Sequence, residues 1–349
     1  MQAVVFRGEG LVETTQAADE PRLEDDGDAI VRVRLAGICG TDLHVLHGSI
    51  PMDPGSILGH EAVGIVESAG SGVRSVAPGD RVVASFQIAC GVCWFCRSGQ
   101  TGLCEQHRML GGGPFGGDLH GAQAGFVRVP VANVNLLRIP DGVDDEAAVF
   151  LGDVLTTGVY AASLAEPKTD DVVAVLGAGP VGSCAARALL ADGVEHVVVL
   201  DRDATRLEAI AALGVATVDP GATNPEMALA RMTDGRGADV VIDAVGATDA
   251  YGTALEIVRR GGRVVIIGVY SSQRVELQLG VAWIRGISLV FAGETPVQAL
   301  WGATMDRVVT GALDPTPLLT HRLPIAAAAE GYDLFERRVA TKVVLDPWA

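Results

Sequence analysis

Cys90, Cys93, Cys96 and Cys104 place four of the six cysteines within fifteen residues, spaced C-x2-C-x2-C-x7-C. Thiolates gathered this closely suit Zn²⁺, which has no geometric preference of its own and favours a closed tetrahedral sulfur cage. An iron–sulfur cluster is the rival occupant, and the final x7 spacing, in place of x3 followed by Pro, argues against a ferredoxin-type site. A second set of ligand types lies upstream, at Cys39 in Gly-Ile-Cys-Gly-Thr-Asp-Leu-His and at His60-Glu61 after Gly59. Cys and His from separate segments suit an open zinc site, with three protein ligands and one exchangeable position. The third ligand must come from elsewhere, and Asp153 is the candidate. Thr156 and Thr157 also fit a helix start, so an ordinary N-cap is the competing role for Asp153.

The other chemistry-bearing motif is Gly177-Ala178-Gly179-Pro180-Val181-Gly182, a G-x-G-x-x-G turn directly behind the apolar run Val172 to Leu176. Each glycine has a mechanical reason: a tight turn, a bare backbone beside a pyrophosphate, and close contact between helix and strand. Nineteen residues after Gly182, Asp201 ends the next apolar run, where a carboxylate would accept from the adenosine ribose hydroxyls and repel a 2′-phosphate. NAD is therefore expected over NADP, although Arg202 immediately after could serve a phosphate. Arg206, Thr157, Gly268 and Val269 complete the expected cofactor contacts, the last three near the nicotinamide. Ile50, Phe86 and Met109 are candidate walls of an apolar substrate chamber from their spacing to the zinc ligands, and such a chamber discriminates weakly between substrates of similar size.

These residues need two kinds of scaffold. Short β-type runs separated by Gly, Pro and Asp fill the first 150 or so residues: Ala3 to Phe6, Ala29 to Leu35, Ala62 to Glu67, Arg81 to Ser85 and Gly125 to Val129. From Asp171 the rhythm becomes strands apolar on both faces alternating with helical stretches, the pattern of a parallel sheet covered by helices. Val172 to Leu176, Val197 to Leu200, Ala216 to Val218, Val240 to Ile242, Val264 to Val269 and Ile287 to Phe291 supply the six strands of a complete dinucleotide-binding sheet. The stretch Trp283 to Phe291 reads as an edge strand. A last strand, Lys342 to Leu345, could return to the first domain.

With 349 residues, 49% apolar and 20% charged, the chain is a globular protein large enough for two domains. Net charge is −17, so the average surface repels nucleic-acid backbones and anionic lipid heads, and neither is an expected partner. Met1 to Phe6 lacks a basic segment leading into a long apolar one, and no apolar run approaches the 18 or so residues of a spanning helix. A cytoplasmic protein with reduced thiols is expected.

In its order of motifs, G-I-C-G-T-D-L-H, G-H-E-A-V-G, the four-cysteine lobe and G-A-G-P-V-G with its downstream Asp, the chain resembles the zinc-dependent medium-chain alcohol dehydrogenase superfamily over essentially its whole length. The resemblance implies an α/β protein: a GroES-like, mainly β catalytic domain over residues 1–153 with a structural zinc lobe at about 88–106, a Rossmann doubly wound parallel sheet binding NAD over 154–293, and a return to the catalytic domain over 294–349. It maps Cys39 and His60 to catalytic zinc ligands and Asp153 to a position that many members fill with Cys and others with Asp or Glu. Glu61 either enters the coordination shell or supports it from outside. Asp42 looks like a partner for His60. The four-cysteine lobe corresponds to the structural zinc, giving two zinc ions per chain. Thr41 matches the family's hydroxyl relay and His44 its distal base, with a solvated helix histidine as the blander role for His44. Lys342 aligns with a basic residue near the cofactor phosphates.

The expected activity is reversible hydride transfer between an alcohol and NAD. The segment Leu110 to Val129 also looks like that of formaldehyde dehydrogenase-related members, so a formaldehyde dehydrogenase or an aldehyde dismutase with tightly held NAD is the alternative, and a non-catalytic NAD-binding protein is the alternative from another class. A small alcohol or carbonyl compound is the expected substrate, and a homodimer or homotetramer the expected assembly.

Overall fold

A computed structural model describes residues 1–117, 119–270 and 274–349. The chain divides into two compact units, Met1–Thr156 with Glu294–Ala349, and Thr157–Gly293. The division falls within the helix Val154–Ala165.

The first unit is built on a seven-stranded sheet. Strand Ala29–Ile38 is its centre, pairing antiparallel with Ala62–Ala69 on one side and with Lys342–Asp346 on the other. Arg81–Ala84 and Leu136–Arg138 extend the sheet beyond Ala62–Ala69, Leu319–Pro324 lies parallel to Lys342–Asp346, and Phe126–Val129 also pairs with the central strand. Alternation of Val31, Val33 and Leu35 with Arg32 and Arg34 fits a strand with one buried face. Packing on that face by Val66, Val82, Ala84, Val127 and Leu136 gives one core. A second core joins Val4, Ile38 and Leu58 to Tyr332, Phe335 and Val343 of the chain's last fifty residues. Those late residues are therefore integral to this unit.

The second unit is one parallel sheet in the order 216–218, 196–200, 172–176, 238–243, 258–266, 288–291. The first strand lies mid-sheet and the order reverses beside it, the switch point at which dinucleotides bind such sheets. Val172–Leu176 is buried throughout because helices cover both faces, which is why it reads as an unbroken apolar run.

Two expected strands end differently. The fifth spans Val258–Ile266, so Gly268 and Val269 lie in the turn beyond it. Within the apolar stretch 283–291 only Ser288–Phe291 is strand. Leu279–Arg285 is a helix, stopped at Gly286, whose φ of 64° is left-handed. Trp283, on that helix, is 79% exposed. Among the described residues no single helix is long and apolar enough to cross a membrane.

Candidate functional site

Three strand ends converge in the first unit. Ala36 lies opposite Ala62 and Val343 opposite Ile38. This register sets Cys39, at the exit of the central strand, beside His60 and Glu61 on one side and Lys342 on the other. Asp153 arrives on the 3₁₀ turn Val149–Gly152, which is tied to the sheet by the Phe86 amide donating to the Gly152 carbonyl at 3.1 Å.

One donor atom from each of Cys39, His60, Glu61 and Asp153 lies within 4.8 Å of the others. The Cys39 Sγ is 3.5 Å and the His60 Nε2 3.3 Å from the same Asp153 oxygen. A tetrahedral zinc with bonds of about 2.0–2.3 Å needs ligand atoms about 3.3–3.8 Å apart, so both separations fit. Glu61 Oε1 is buried without a hydrogen-bond partner among the described residues, an acceptor oriented for a cation. The residues fit zinc on this geometry and on donor type. The Asp153 carboxylate, turned to Cys39 and His60, is placed as a ligand would be.

Asp42 holds the histidine from behind. Its Oδ2 accepts the Cys39 amide at 2.9 Å and its Oδ1 lies 3.3 Å from His60 Nδ1, which fixes Nδ1–H and turns Nε2 toward the cluster. Burial disfavours a charged imidazole, yet Asp42, Asp153 and Cys39 together hold the His60 pKa well above its ordinary value. Burial and Asp153 push the Cys39 thiol up against the pull of His60. Asp153 is held below the usual carboxylate range, because His60, Lys342 and Cys39 outweigh its burial.

Lys342 departs from its expected place beside cofactor phosphates. It is fully buried, with Nζ bonded to Glu61 Oε2 and, at 3.2 Å, to the Ile38 carbonyl. Its charge is taken up by Glu61, since two fully buried ions must pair. Gly37 makes room for this pair: a Cβ there would collide with the Glu61 carboxylate.

Thr41 and His44 sit three residues apart on the short helix Gly40–Leu46, hence on one face, both partly exposed. Burial, and then His47, lower the His44 pKa. Phe86 lies edge-on to the His60 ring with centroids 6.2 Å apart, and packs with Met109 against Val297 and Trp301. Ile50 packs instead against the core containing Val45, Leu46 and Leu58, so the structure does not bring it together with the other two expected walls. Val297 and Trp301 carry no signal in the sequence beyond being apolar. Within the segment Leu110 to Val129, Asp118 lies outside the described residues.

The four lobe cysteines also offer donor atoms within 4.8 Å of one another. Amides of Cys90, Cys93, Cys96 and Gln106 donate to sulfurs at 3.3–3.4 Å, the support that negatively charged thiolates need. The Cys96 and Glu105 amides hold the Cys93 thiol down, at about 6. No cysteine is in a disulfide.

In the second unit Gly177 has φ 95° and its amide donates to the Leu200 carbonyl at 2.8 Å. A Cβ on Gly182 would collide with the Gly177 carbonyl oxygen, so glycine is what lets the helix Pro180–Ala191 start against the strand end. Asp201 accepts the Ala178 amide at 2.6 Å and the Asp203 amide at 2.9 Å, so it braces the glycine turn and keeps lone pairs for further donors. The Arg206 guanidinium lies over Gly179, whereas Arg202 is exposed, 3.9 Å from Asp249. Gly268 packs against Gly246, where a Cβ would collide with the Gly246 amide; Val269 is half exposed and Thr157 buried.

Two family models match the chain: the alcohol dehydrogenase GroES-like domain over residues 25–141 and the zinc-binding dehydrogenase over 180–307. A probable zinc-binding alcohol dehydrogenase of Mycobacterium tuberculosis is 39% identical across 95% of this chain and 84% of the relative. An uncharacterized zinc-type alcohol dehydrogenase-like protein of Bacillus subtilis is 36% identical across 99% of this chain and 100% of the relative. Among solved structures, an alcohol dehydrogenase from Thermus sp. ATN1 superimposes with a TM-score of 0.96 at 41% identity, covering 99% of both chains.

Proposed function

This chain belongs to the zinc-binding alcohol dehydrogenase family, and from that premise we propose that it transfers a hydride between an alcohol and NAD, using a zinc held by Cys39, His60 and Asp153. The observation that carries this reading is the cluster of Cys39, His60, Glu61 and Asp153, donor atoms within 4.8 Å and spaced as zinc ligands are. Zinc bound there supplies Lewis-acid polarisation of the substrate oxygen.

The protein's own residues set the conditions for that chemistry. Cys39 and Asp153 bring one negative charge each when ionised, and a carboxylate, a weaker donor than a second thiolate, leaves more positive charge on the metal. Asp42 keeps His60 in the tautomer that ligates. Lys342 holds Glu61 by one oxygen while the other has no hydrogen-bond partner among the described residues, so Glu61 is poised at the edge of the coordination shell. Thr41 and His44 form the proposed route for the alcohol proton, and a His44 with a lowered pKa is neutral near pH 7 and able to accept it. Phe86 and Met109 give the substrate an apolar wall.

For the cofactor, the Gly177 turn and the amino end of the helix Pro180–Ala191 form the pyrophosphate seat, with Arg206 over Gly179. Asp201 at the next strand end favours NAD over NADP. The four-cysteine lobe holds the second, structural zinc, closed to substrate. Among the described residues strand Ser288–Phe291 is an edge of the sheet, with Trp283, Ile284 and Phe291 each more than 70% exposed beside it; this supports pairing with a second copy to give at least a dimer.

NADH formation from added NAD, followed by absorbance over a panel of aliphatic, aromatic and polyol alcohols, tests the reading. It expects turnover with at least one class, about two zinc ions per chain, and loss of one zinc together with activity in Cys39→Ser. Substrate oxidation and reduction without turnover of added NAD would favour a dismutase instead. A single zinc, lost only in Cys93→Ser, would refute the catalytic metal.

A further inference from the structure

The hydrogen bonds behind His60 do not stop at Asp42. Gln123, fully buried just ahead of strand Phe126–Val129, reaches Asp42 through its side-chain amide. Nε2 donates to the Gly37 carbonyl at 3.1 Å and lies 3.4 Å from Asp42 Oδ2, while Oε1 accepts the Tyr332 hydroxyl at 2.9 Å. The amide can point only one way, since its reverse would set the amide oxygen against both a carbonyl and a carboxylate. Tyr332, on the helix Ala328–Glu336 and 2% exposed, locks that orientation. Burial pushes the phenol pKa well up, so the hydroxyl remains a donor.

The backbone is fitted to the same residue. Gly59, immediately before His60, has φ 89°, and a Cβ there would collide with the Gln123 side chain. The Gln123 backbone N–H also donates to the Leu58 carbonyl at 2.9 Å. One glutamine thus contacts both segments that carry ligands, at Gly37–Asp42 and at Leu58–Gly59.

We propose that Gln123 and Tyr332 are positioning residues for the metal ligand His60, forming with Asp42 a buried chain, Tyr332 to Gln123 to Asp42 to His60, that sets the imidazole for zinc. The inference rests on the zinc reading above. Removing the Tyr332 hydroxyl leaves Gln123 Oε1 buried without its donor and loosens the amide. Removing the amide leaves Asp42 Oδ2, among the described residues, with the Cys39 backbone amide as its remaining hydrogen-bond partner. Either change loosens the ring without touching a ligand.

The test uses the full chain loaded with zinc, comparing wild type with Tyr332→Phe and Gln123→Met, both close in volume to the native residue. Zinc retained during exposure to a competing chelator should fall about tenfold faster for one of the two ions, the scale of loss for residues behind metal ligands. The four-cysteine zinc serves as internal control and should leave at the wild-type rate. With Co²⁺ in place of zinc, the visible bands of the Cys39 site should shift in both variants, a response that a simple loss of stability does not produce. Wild-type zinc retention and an unchanged cobalt spectrum in folded Tyr332→Phe would overturn the inference, even if Gln123→Met failed to fold. If Cys39→Ser left the wild-type zinc content unchanged, the zinc reading itself would fall and this inference with it.

Discussion

Replacing Lys342 by Met should convert Glu61 into an uncompensated charge in a place with no access to water. Both side chains are fully buried, and Lys342 Nζ is the cation bonded to the Glu61 carboxylate. Breaking one side of a buried pair costs about 3–5 kcal/mol. Protonation limits the cost: a carboxyl that ionises near 4.3 when unfolded can be kept neutral at pH 7 for about 3.7 kcal/mol, at about 1.4 kcal/mol per pH unit. Burial already pushes the Glu61 carboxyl above its ordinary range against the pull of Lys342, so in Lys342→Met it rises further. A carboxyl whose pKa is higher folded than unfolded leaves stability untouched below about pH 4 and erodes it as pH rises toward the folded value. The loss should therefore reach at most about 1 kcal/mol at pH 5 and about 4 kcal/mol at pH 7, reduced by what the already raised wild-type carboxyl gives up, plus about 1 kcal/mol at every pH for the Ile38 carbonyl left without its donor. A bound metal would give Glu61 another counter-charge, so urea unfolding is best compared between Cys39→Ser and Cys39→Ser/Lys342→Met. Adding Glu61→Gln should abolish the pH dependence. A loss independent of pH between 5 and 7, or none, would refute the buried pair as described.

Gly182→Ala should weaken NAD binding by about a hundredfold or more and destabilise the chain by about 1–3 kcal/mol, because the new methyl meets a backbone carbonyl that cannot swing aside; intrinsic fluorescence titration with NAD and thermal melting read the two effects. His107 lies 2.7 Å from Glu294, and that hydrogen bond, acting against partial burial, raises its pKa. Its stabilisation is complete below about pH 6.5 and lost as pH rises through the folded value, so Glu294→Gln should lower the melting temperature at pH 5.5, by an amount equivalent to about 1 kcal/mol, and have less effect at pH 8. An equal shift at both pH values would show that the pair acts only as a neutral hydrogen bond.

The parts that could be read from the sequence are those made by neighbours along the chain. The four lobe cysteines span fifteen residues, and the Gly177 turn, its strand and its helix are contiguous, so spacing alone carries their geometry. Asp201 could be placed because strand and helix lengths in such a unit fix where the second strand ends. Trp283 lies on a helix and not on the expected strand for a local reason as well: a short apolar run fits a strand or a helix until its stop is known, and Gly286 supplies the stop only through its left-handed backbone.

Lys342, Gln123 and Tyr332 belong to a different class. Lys342 meets Glu61 across 281 residues and Tyr332 meets Gln123 across 209, contacts set by sheet register and helix docking that no spacing encodes. The same topology imposes an order on the site. Cys39, His60 and Asp153 are all present once the first 153 residues exist, yet Glu61 has no counter-charge until strand Lys342–Asp346 pairs with Ala29–Ile38. Gln123 has no donor for its oxygen until the helix Ala328–Glu336 packs against Ile38 and Val343. A chain ending before residue 328 should therefore leave the Glu61 carboxylate without Lys342 and the Gln123 amide without the Tyr332 hydroxyl, whatever the state of Cys39, His60 and Asp153.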